Sequence, residues 1–172
     1  YFINKETHHL HLFFEDDWKL KSTLESYGHD IEASWLLQQC AEVIGHQPLT
    51  ELFKQAAVPI ADAAAEGLDT DGGLWYEYEP KKNLLIYEKH SWPQAEAMIG
   101  FYNAYRLTGN NNYLRQSLHS WDFIKKHIKD HEKGEWFWGV KKDYSVMNKE
   151  KAGFWKCPYH NSRACMELLR RI

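Results

Sequence analysis

The sequence predicts an all-α chain of repeated helix pairs, interrupted by short β-hairpins and stacked as in a helical array or a closed helical barrel. Segments with apolar residues three and four apart alternate with loops along the whole chain. Three helical segments open on comparable dipeptides, Glu32-Ala33, Glu96-Ala97 and Arg163-Ala164, spaced 64 and 67 residues apart. Each follows a loop bearing an aromatic residue or a histidine, and one further helix lies between successive copies. A two-helix unit of this size cannot bury its apolar face alone, so the copies must stack on one another. In a closed ring of such pairs, the starts of alternate helices converge on one end.

Composition narrows the function. A chain of 172 residues fits one domain with a substantial core. Its 44% hydrophobic and 26% charged residues are those of a soluble globular protein, while 15% aromatic residues, eight of them Trp, are unusual. The flat face of Trp packs in cores and also stacks on the C–H faces of sugars, which tilts the expectation toward carbohydrate. A net charge of -3 with no basic block excludes nucleic acid as the expected partner. Cys40, Cys157 and Cys165 are odd in number and lack C-x-x-C spacing, so neither a disulfide framework nor a zinc site is expected, and a reducing, cytoplasmic setting is the simplest. No apolar run is long enough to span a membrane, and the first residues lack the pattern of a signal peptide. A chain opening on Tyr1 rather than Met is expected to be a processed or truncated product.

In chain order, Leu10 to Phe14 form a short extended segment closed by Glu15, Asp16 and Asp17. His8, His9 and His11 precede or enter it. Alternation places His9 and His11 on one face, but no further ligand motif follows, so a neighbouring helix end or solvent is the expected contact rather than a metal. Gly28 punctuates the chain, Asp30 is placed to cap, and a helix is expected from about Asp30 to Ile44, stopping at Gly45. A second spans roughly Leu49 to Ala65, with Pro59 expected to kink or interrupt it. Asp71-Gly72-Gly73 is a turn, and Leu74 to Tyr78 with Leu84 to Tyr87 form a hairpin around Pro80. A third helix starts at Ser91-Trp92-Pro93 and stops at Gly109. A fourth runs from about Asn111 to His131 with Leu114, Leu118, Trp121, Ile124 and Ile128 as its stripe. The run Trp136 to Val140 is a short strand, and a last helix opens near His160.

Convergence of the alternate helix starts gathers His29, Glu32, Trp92, Glu96, Trp155, His160 and Arg163 at one end. Glu32, one turn beyond His29, is placed to orient or charge-stabilise that ring. Each residue taken singly has a structural explanation: a hydrogen-bonded histidine, an ion pair between Glu96 and Arg163, indoles in the core. Together they have the make-up of a small-molecule pocket.

The motifs Gly28-His29-Asp30-Ile31-Glu32-Ala33-Ser34-Trp35-Leu36-Leu37, Trp92-Pro93-Gln94-Ala95-Glu96-Ala97 and Trp155-Lys156-Cys157-Pro158-Tyr159-His160-Asn161 resemble three C-terminal motifs of the N-acylglucosamine 2-epimerase superfamily, in its cellobiose 2-epimerase branch. The resemblance covers nearly the whole chain, in the same order. It implies an (α/α)6 barrel of six helix hairpins and reversible epimerisation at C2 of the reducing-end sugar of a β-1,4-linked disaccharide, cellobiose giving glucosyl-mannose and lactose giving epilactose. It further implies that His29 and His160 are the acid/base pair, that Trp92 and Trp155 shape the sugar site, and that Glu32 and Glu96 contact substrate or support the histidines. No metal or nucleotide motif is present, and a cofactor-free reaction is expected.

The residue types suit that chemistry in their own right. Inverting C2 of an aldose needs ring opening, removal of the proton α to the aldehyde, and its return to the opposite face of a cis-enediolate. An imidazole, with a pKa of about 6.5, exchanges protons near neutral pH without extreme tuning, and two can divide the work. His160 is the preferred candidate for ring opening and His29 for C2. Arg163 is first an ion-pair partner and second a donor to the enediolate oxygen.

A closed barrel needs about twelve helices, and at about 11–12 residues each that exceeds 172 residues. Five are legible here. The chain is therefore expected to be the C-terminal half of an epimerase, a single partial domain, lacking the N-terminal half and the additional His and Arg that the family places there, and poorly active alone. The alternatives are an N-acylglucosamine 2-epimerase or aldose–ketose isomerase, an α/α-barrel glycoside hydrolase using Glu32 and Glu96 as its carboxylate pair, and a non-catalytic sugar-binding module.

Overall fold

The computed structural model describes residues 1–172 and contains five α-helices: α1 Tyr27–Ile44, α2 Gln47–Ala65, α3 Ser91–Thr108, α4 Asn111–Phe123 and α5 Tyr159–Arg171. Two small antiparallel sheets accompany them. Strands β1 Glu77–Glu79 and β2 Leu84–Ile86 pair as a hairpin around a 3-10 turn at Pro80–Lys82, as expected. Strands β3 Lys89–His90 and β4 Gly139–Val140 pair across α3 and α4, so only the end of the expected Trp136 to Val140 strand enters a ladder. The first 26 residues form an arm without helix, folded back on itself by bridges between Ile3 and Leu10 and between Phe14 and Leu20.

Helix α3 is the axis of the packing. It lies against α1, α2, α4 and α5, and every residue from Pro93 to Phe101 is buried. A helix covered on several sides needs small residues where its neighbours approach. At Gly100 an added Cβ would sit 2.6 Å from Cγ1 and 2.7 Å from the carbonyl oxygen of Ile31, so α1 and α3 meet nearly backbone to backbone. One apolar cluster on this axis contains Trp35, Ile99, Phe123 and Ile128; a second contains Tyr27, Ile31, Leu74 and Phe101. Burial of such side chains stabilises the pairings by about 1.5–3 kcal/mol each.

Four expectations are corrected. Helix α1 begins three residues earlier than expected, at Tyr27, and Ser26 rather than Asp30 is its N-cap residue; the Asp30 carboxylate is turned outward to the arm instead. Pro59 does not interrupt α2, which runs unbroken through it. The carbonyl it leaves without a helical donor belongs to Gln55, an exposed residue, where water can satisfy it. In α4 the buried face is Tyr113, Ser117, Ser120 and Phe123, one position off the expected stripe, and Leu118 is 55% exposed. Ser117 is small enough to let α4 approach α3 and donates its hydroxyl to the Met98 carbonyl (2.7 Å). The helix ends in a π turn over Ile124–Ile128, short of His131, and Ile124 and Ile128, the last two residues of the expected stripe, are buried as expected. Helices α1 and α3 stop at Gly45 and Gly109 as expected, both left-handed. All three cysteines are free, and no helix is long and apolar enough to cross a membrane.

Candidate active site

The starts of α1, α3 and α5 come together at one end of the fold, as the repeat predicts. From the first turns of α1 come His29 and Glu32, from α3 Trp92 and Glu96, and from α5 His160 and Arg163.

Glu96 is the hub. It is fully buried, and its two oxygens take three contacts. Oε2 accepts from the Trp35 indole N–H (3.0 Å), and Oε1 accepts from His160 Nδ1 (2.6 Å) and from Arg163 Nη2 (2.6 Å); Arg163 Nη2 also donates to Glu32 Oε1 (2.6 Å). A carboxylate left ionised in the interior is costly unless it is paired and hydrogen-bonded, and both conditions hold here. Because Glu96 only accepts, Nδ1 of His160 carries the proton, which leaves Nε2 for chemistry. Desolvation opposes the Arg163 charge, but hydrogen bonds and charge from Glu32 and Glu96 outweigh it and raise the guanidinium pKa further.

His29 has a different partner. Its Nδ1 lies 2.8 Å from the Ser26 hydroxyl, which can donate or accept. Of the two roles expected for Glu32, it does not orient this ring, because the guanidinium of Arg163 takes its carboxylate, but its charge does favour the protonated ring. His29 keeps solvent on one side while protein crowds the rest of the ring. That crowding lowers its pKa below the ordinary imidazole value; the charges of Glu32 and Asp30 pull it back up in part, and His160 adds to the lowering.

Trp92 joins the two histidines. Its ring centroid is 4.8 Å from that of His29, edge-on, and 5.4 Å from that of His160. A Cβ at Gly28 would lie 2.6 Å from Trp92 Cη2, so only glycine lets the indole rest on the first turn of α1. Beyond His160 lies a cavity of about 180 Å³ walled by Trp92, Trp136, Trp138, Phe154, Trp155, Tyr159 and Asn161. Complete small-molecule pockets run to ~300–1,000 Å³, so this is the size of one wall of a site. Trp155 lines it from a loop and is 83% exposed, unlike the other sequence-predicted residues, which the helices hold.

Several residues of the site were not singled out from the sequence. Trp138 stands in a segment read only as a strand, and Tyr159 lies in the third motif with no role of its own assigned there. Trp35 has a legible signal: three residues from Glu32, it shares that helix face and reaches Glu96. Ser26 precedes the expected helix altogether. Buried His90 stacks on Tyr76 at 3.9 Å and bonds through Nε2 to Glu88 (2.8 Å), and Tyr76 in turn meets Trp92 edge-on at 6.5 Å.

Glu32, Glu96 and His160 also place one potential ligand atom each within 4.8 Å of one another. The Arg163 guanidinium already bridges both carboxylates, taking the place a cation would occupy.

The sequence profile of the N-acylglucosamine 2-epimerase family matches residues 1–164. The chain belongs to this family. It is 47% identical over 168 residues to the cellobiose 2-epimerase of Bacteroides fragilis, a match covering 97% of this chain and 43% of that protein. It is 38% identical to the cellobiose 2-epimerase of Ruminococcus albus, covering 96% and 43% respectively. The structure of cellobiose 2-epimerase from Bacillus thermoamylovorans superposes with a TM-score of 0.92 at 38% identity, over 99% of this chain and 44% of that one. The fold is thus that of part of an (α/α)6 barrel, and the chain spans less than half the length of these N-acylglucosamine 2-epimerase family relatives.

Proposed function

We propose that the chain supplies one wall of the active site of an epimerase that reversibly inverts C2 of the reducing-end glucose of a β-1,4-linked disaccharide, converting cellobiose to glucosyl-mannose and lactose to epilactose. The observation that carries this reading is the pair of imidazoles packed on one indole, His29 on a hydroxyl and His160 on a buried carboxylate. The relatives' names support the reaction class.

In this mechanism the anomeric O1–H gives up its proton, O5 receives one, and the C1–O5 bond breaks to open the ring. His160, with Nδ1 protonated toward Glu96 and Nε2 free, serves this exchange at oxygen. A histidine base then removes the C2 proton, leaving a cis-enediolate whose charge rests on O1, and a proton returns to the opposite face of C2. Crowding lowers the His29 pKa, which favours the neutral form that a base at C2 needs. Ser26 suits either protonation state of that ring, since a hydroxyl donates to one tautomer and accepts from the other. Arg163 supplies positive charge beside His160, 3.5 Å from its Nδ1, through its fixed pairing with Glu32 and Glu96. Trp92, with Trp155 from the loop, forms the stacking surface for the sugar. The reaction requires no group beyond these side chains and those of the opposite wall, which in this reading the N-terminal half of the barrel provides. The 172 residues then form the C-terminal part of a single barrel domain.

Glu32 and Glu96 are poorly arranged as a hydrolase pair. Both bind the same Arg163 nitrogen instead of flanking an open space. The deciding experiment incubates the complete barrel with cellobiose in heavy water. Deuterium at C2 with the disaccharide intact is expected; free glucose identifies a hydrolase, and binding without either identifies a sugar-binding module. The isolated 172-residue chain is expected to show little or no exchange, and measurable turnover by it removes the requirement for a second wall.

A further inference from the structure

The first turn of α1 lacks the usual side-chain cap. Ser26 occupies the N-cap position, yet its hydroxyl makes no capping bond and serves His29 instead. The turn is held from outside by Asp30, the residue beside His29. Asp30 is 1% exposed and both its oxygens are engaged by the N-terminal arm: Oδ2 meets His9 Nδ1 at 2.7 Å, and Oδ1 accepts the Leu10 backbone N–H at 2.7 Å. His9 is itself 3% exposed. Its Nε2 lies 3.6 Å from Glu25 and 3.6 Å from Glu66, and the edge of Tyr27 packs on its ring. Three carboxylates thus face one buried imidazole. Burial disfavours its charge, but Asp30, Glu25 and Glu66 together outweigh that and raise its pKa.

A buried ion pair of this kind is a poor device for stability, because desolvating both groups cancels much of their attraction. It is a good device for geometry. The arm that delivers His9 is shaped beforehand: Asn4 closes its turn through Oδ1 to the Glu6 and Thr7 amides, and the Ile3 to Leu10 bridge fixes the return of the chain.

We propose that His9 and Asp30 are positioning residues that hold the first turn of α1, and with it the Ser26–His29 contact, in the geometry the epimerisation needs. The inference rests on His29 being the base at C2. Neither residue touches the reacting atoms; each acts through the turn between Ser26 and Asp30. Loss of His9 leaves the Asp30 carboxylate with the Leu10 N–H alone, loss of Asp30 leaves His9 only Glu25 and Glu66 at 3.6 Å, and either frees the turn to fray. A misplacement of about 1 Å at a reacting group costs about 100-fold in rate.

The test compares His9→Ala, Asp30→Ala and Asp30→Asn in the complete barrel, reading kcat and KM for deuterium exchange at C2, with circular dichroism as a check on folding. Both alanine variants are expected to lose about 100-fold in kcat, with KM little changed. Asp30→Asn is expected to recover most of the rate, because its amide oxygen still accepts from Leu10 and its NH2 can donate to a neutral His9. The 15N shift of His29 Nδ1 is expected to move in the alanine variants and stay in place in Asp30→Asn. Folded alanine variants with the parent kcat and an unmoved His29 shift overturn the inference, as does a loss in KM rather than kcat. If the alanine variants do not fold, His9→Gln decides: reduced kcat at constant KM supports the inference and parent kcat overturns it. His29→Ala separates this inference from the one beneath it. Retained exchange there removes His29 from the chemistry, whereas lost exchange there with full activity in the His9 and Asp30 variants refutes the positioning role alone.

Discussion

Oε1 of Glu96 lies 2.6 Å from both Nδ1 of His160 and Nη2 of Arg163, so one buried oxygen sets the tautomer of a candidate catalytic histidine and anchors the neighbouring cation. Replacing it by an amide tests both functions together. In Glu96→Gln the side chain keeps its volume, but an NH2 group can face His160 and the charge opposing Arg163 is halved. Exchange at C2 is expected to fall by about 100-fold or more, the range for a general acid/base group. Stability is expected to fall by about 3 kcal/mol, as when a buried pair loses one partner. Urea unfolding of the variant checks the second figure independently of activity.

Ser26→Ala removes the Nδ1 partner of His29 and little else. The expected loss in kcat is about tenfold, the equivalent of one net hydrogen bond, and Ser26→Thr is expected to restore it. An unchanged rate in Ser26→Ala would mean that packing on Trp92 alone aligns the ring.

The lowered pKa of His29 places the acid limb of kcat/KM below about pH 6.5, the ordinary imidazole value. Glu32→Gln is expected to move that limb further down, because the Glu32 charge raises the His29 pKa. The same shift bears on stability. With the folded value below the unfolded one, the contribution of His29 is complete above about pH 6.5 and is lost as the pH falls through the folded value, where the unfolded chain binds the extra proton. Thermal melts at neutral and acidic pH check the sign: His29→Gln is expected to lose less stability on acidification than the parent.

Trp155→Ala is expected to leave stability within about 0.5 kcal/mol, as surface substitutions do, while raising KM by up to about tenfold through loss of a stacking surface. Trp92→Ala, whose ring rests on Gly28 and both histidines, is expected to lower kcat and melting temperature together. Equal effects in the two variants would contradict the division between a loop-borne wall and a helix-borne one.

Much of the fold is legible in the chain. The helix stops at Gly45 and Gly109, the hairpin around Pro80 and the recurrence of Glu32, Glu96 and Arg163 are local or periodic signals, so helix count and the convergence of three helix starts follow from them. Less legible is which partner each site residue takes. Glu32 stands one turn from His29 and by spacing alone belongs to it, yet Arg163, 131 positions away, claims its carboxylate. Asp30 has the sequence features of a cap and serves instead as an anchor for His9. The stripe of α4 shifts by one residue because the approach to α3 selects Ser117 over Leu118.

The sequence by itself determined the helical repeat, the family resemblance and the residues gathered at one end of the barrel, because periodicity, capping and motif order are properties of neighbouring residues. Only the tertiary structure decided that Glu96 holds His160, that Ser26 holds His29, and that the first turn of α1 is tied to the arm through Asp30 and His9. Charges and hydrogen bonds take the partner that is nearest in space, and that distance is set by the packing of α1, α3 and α5.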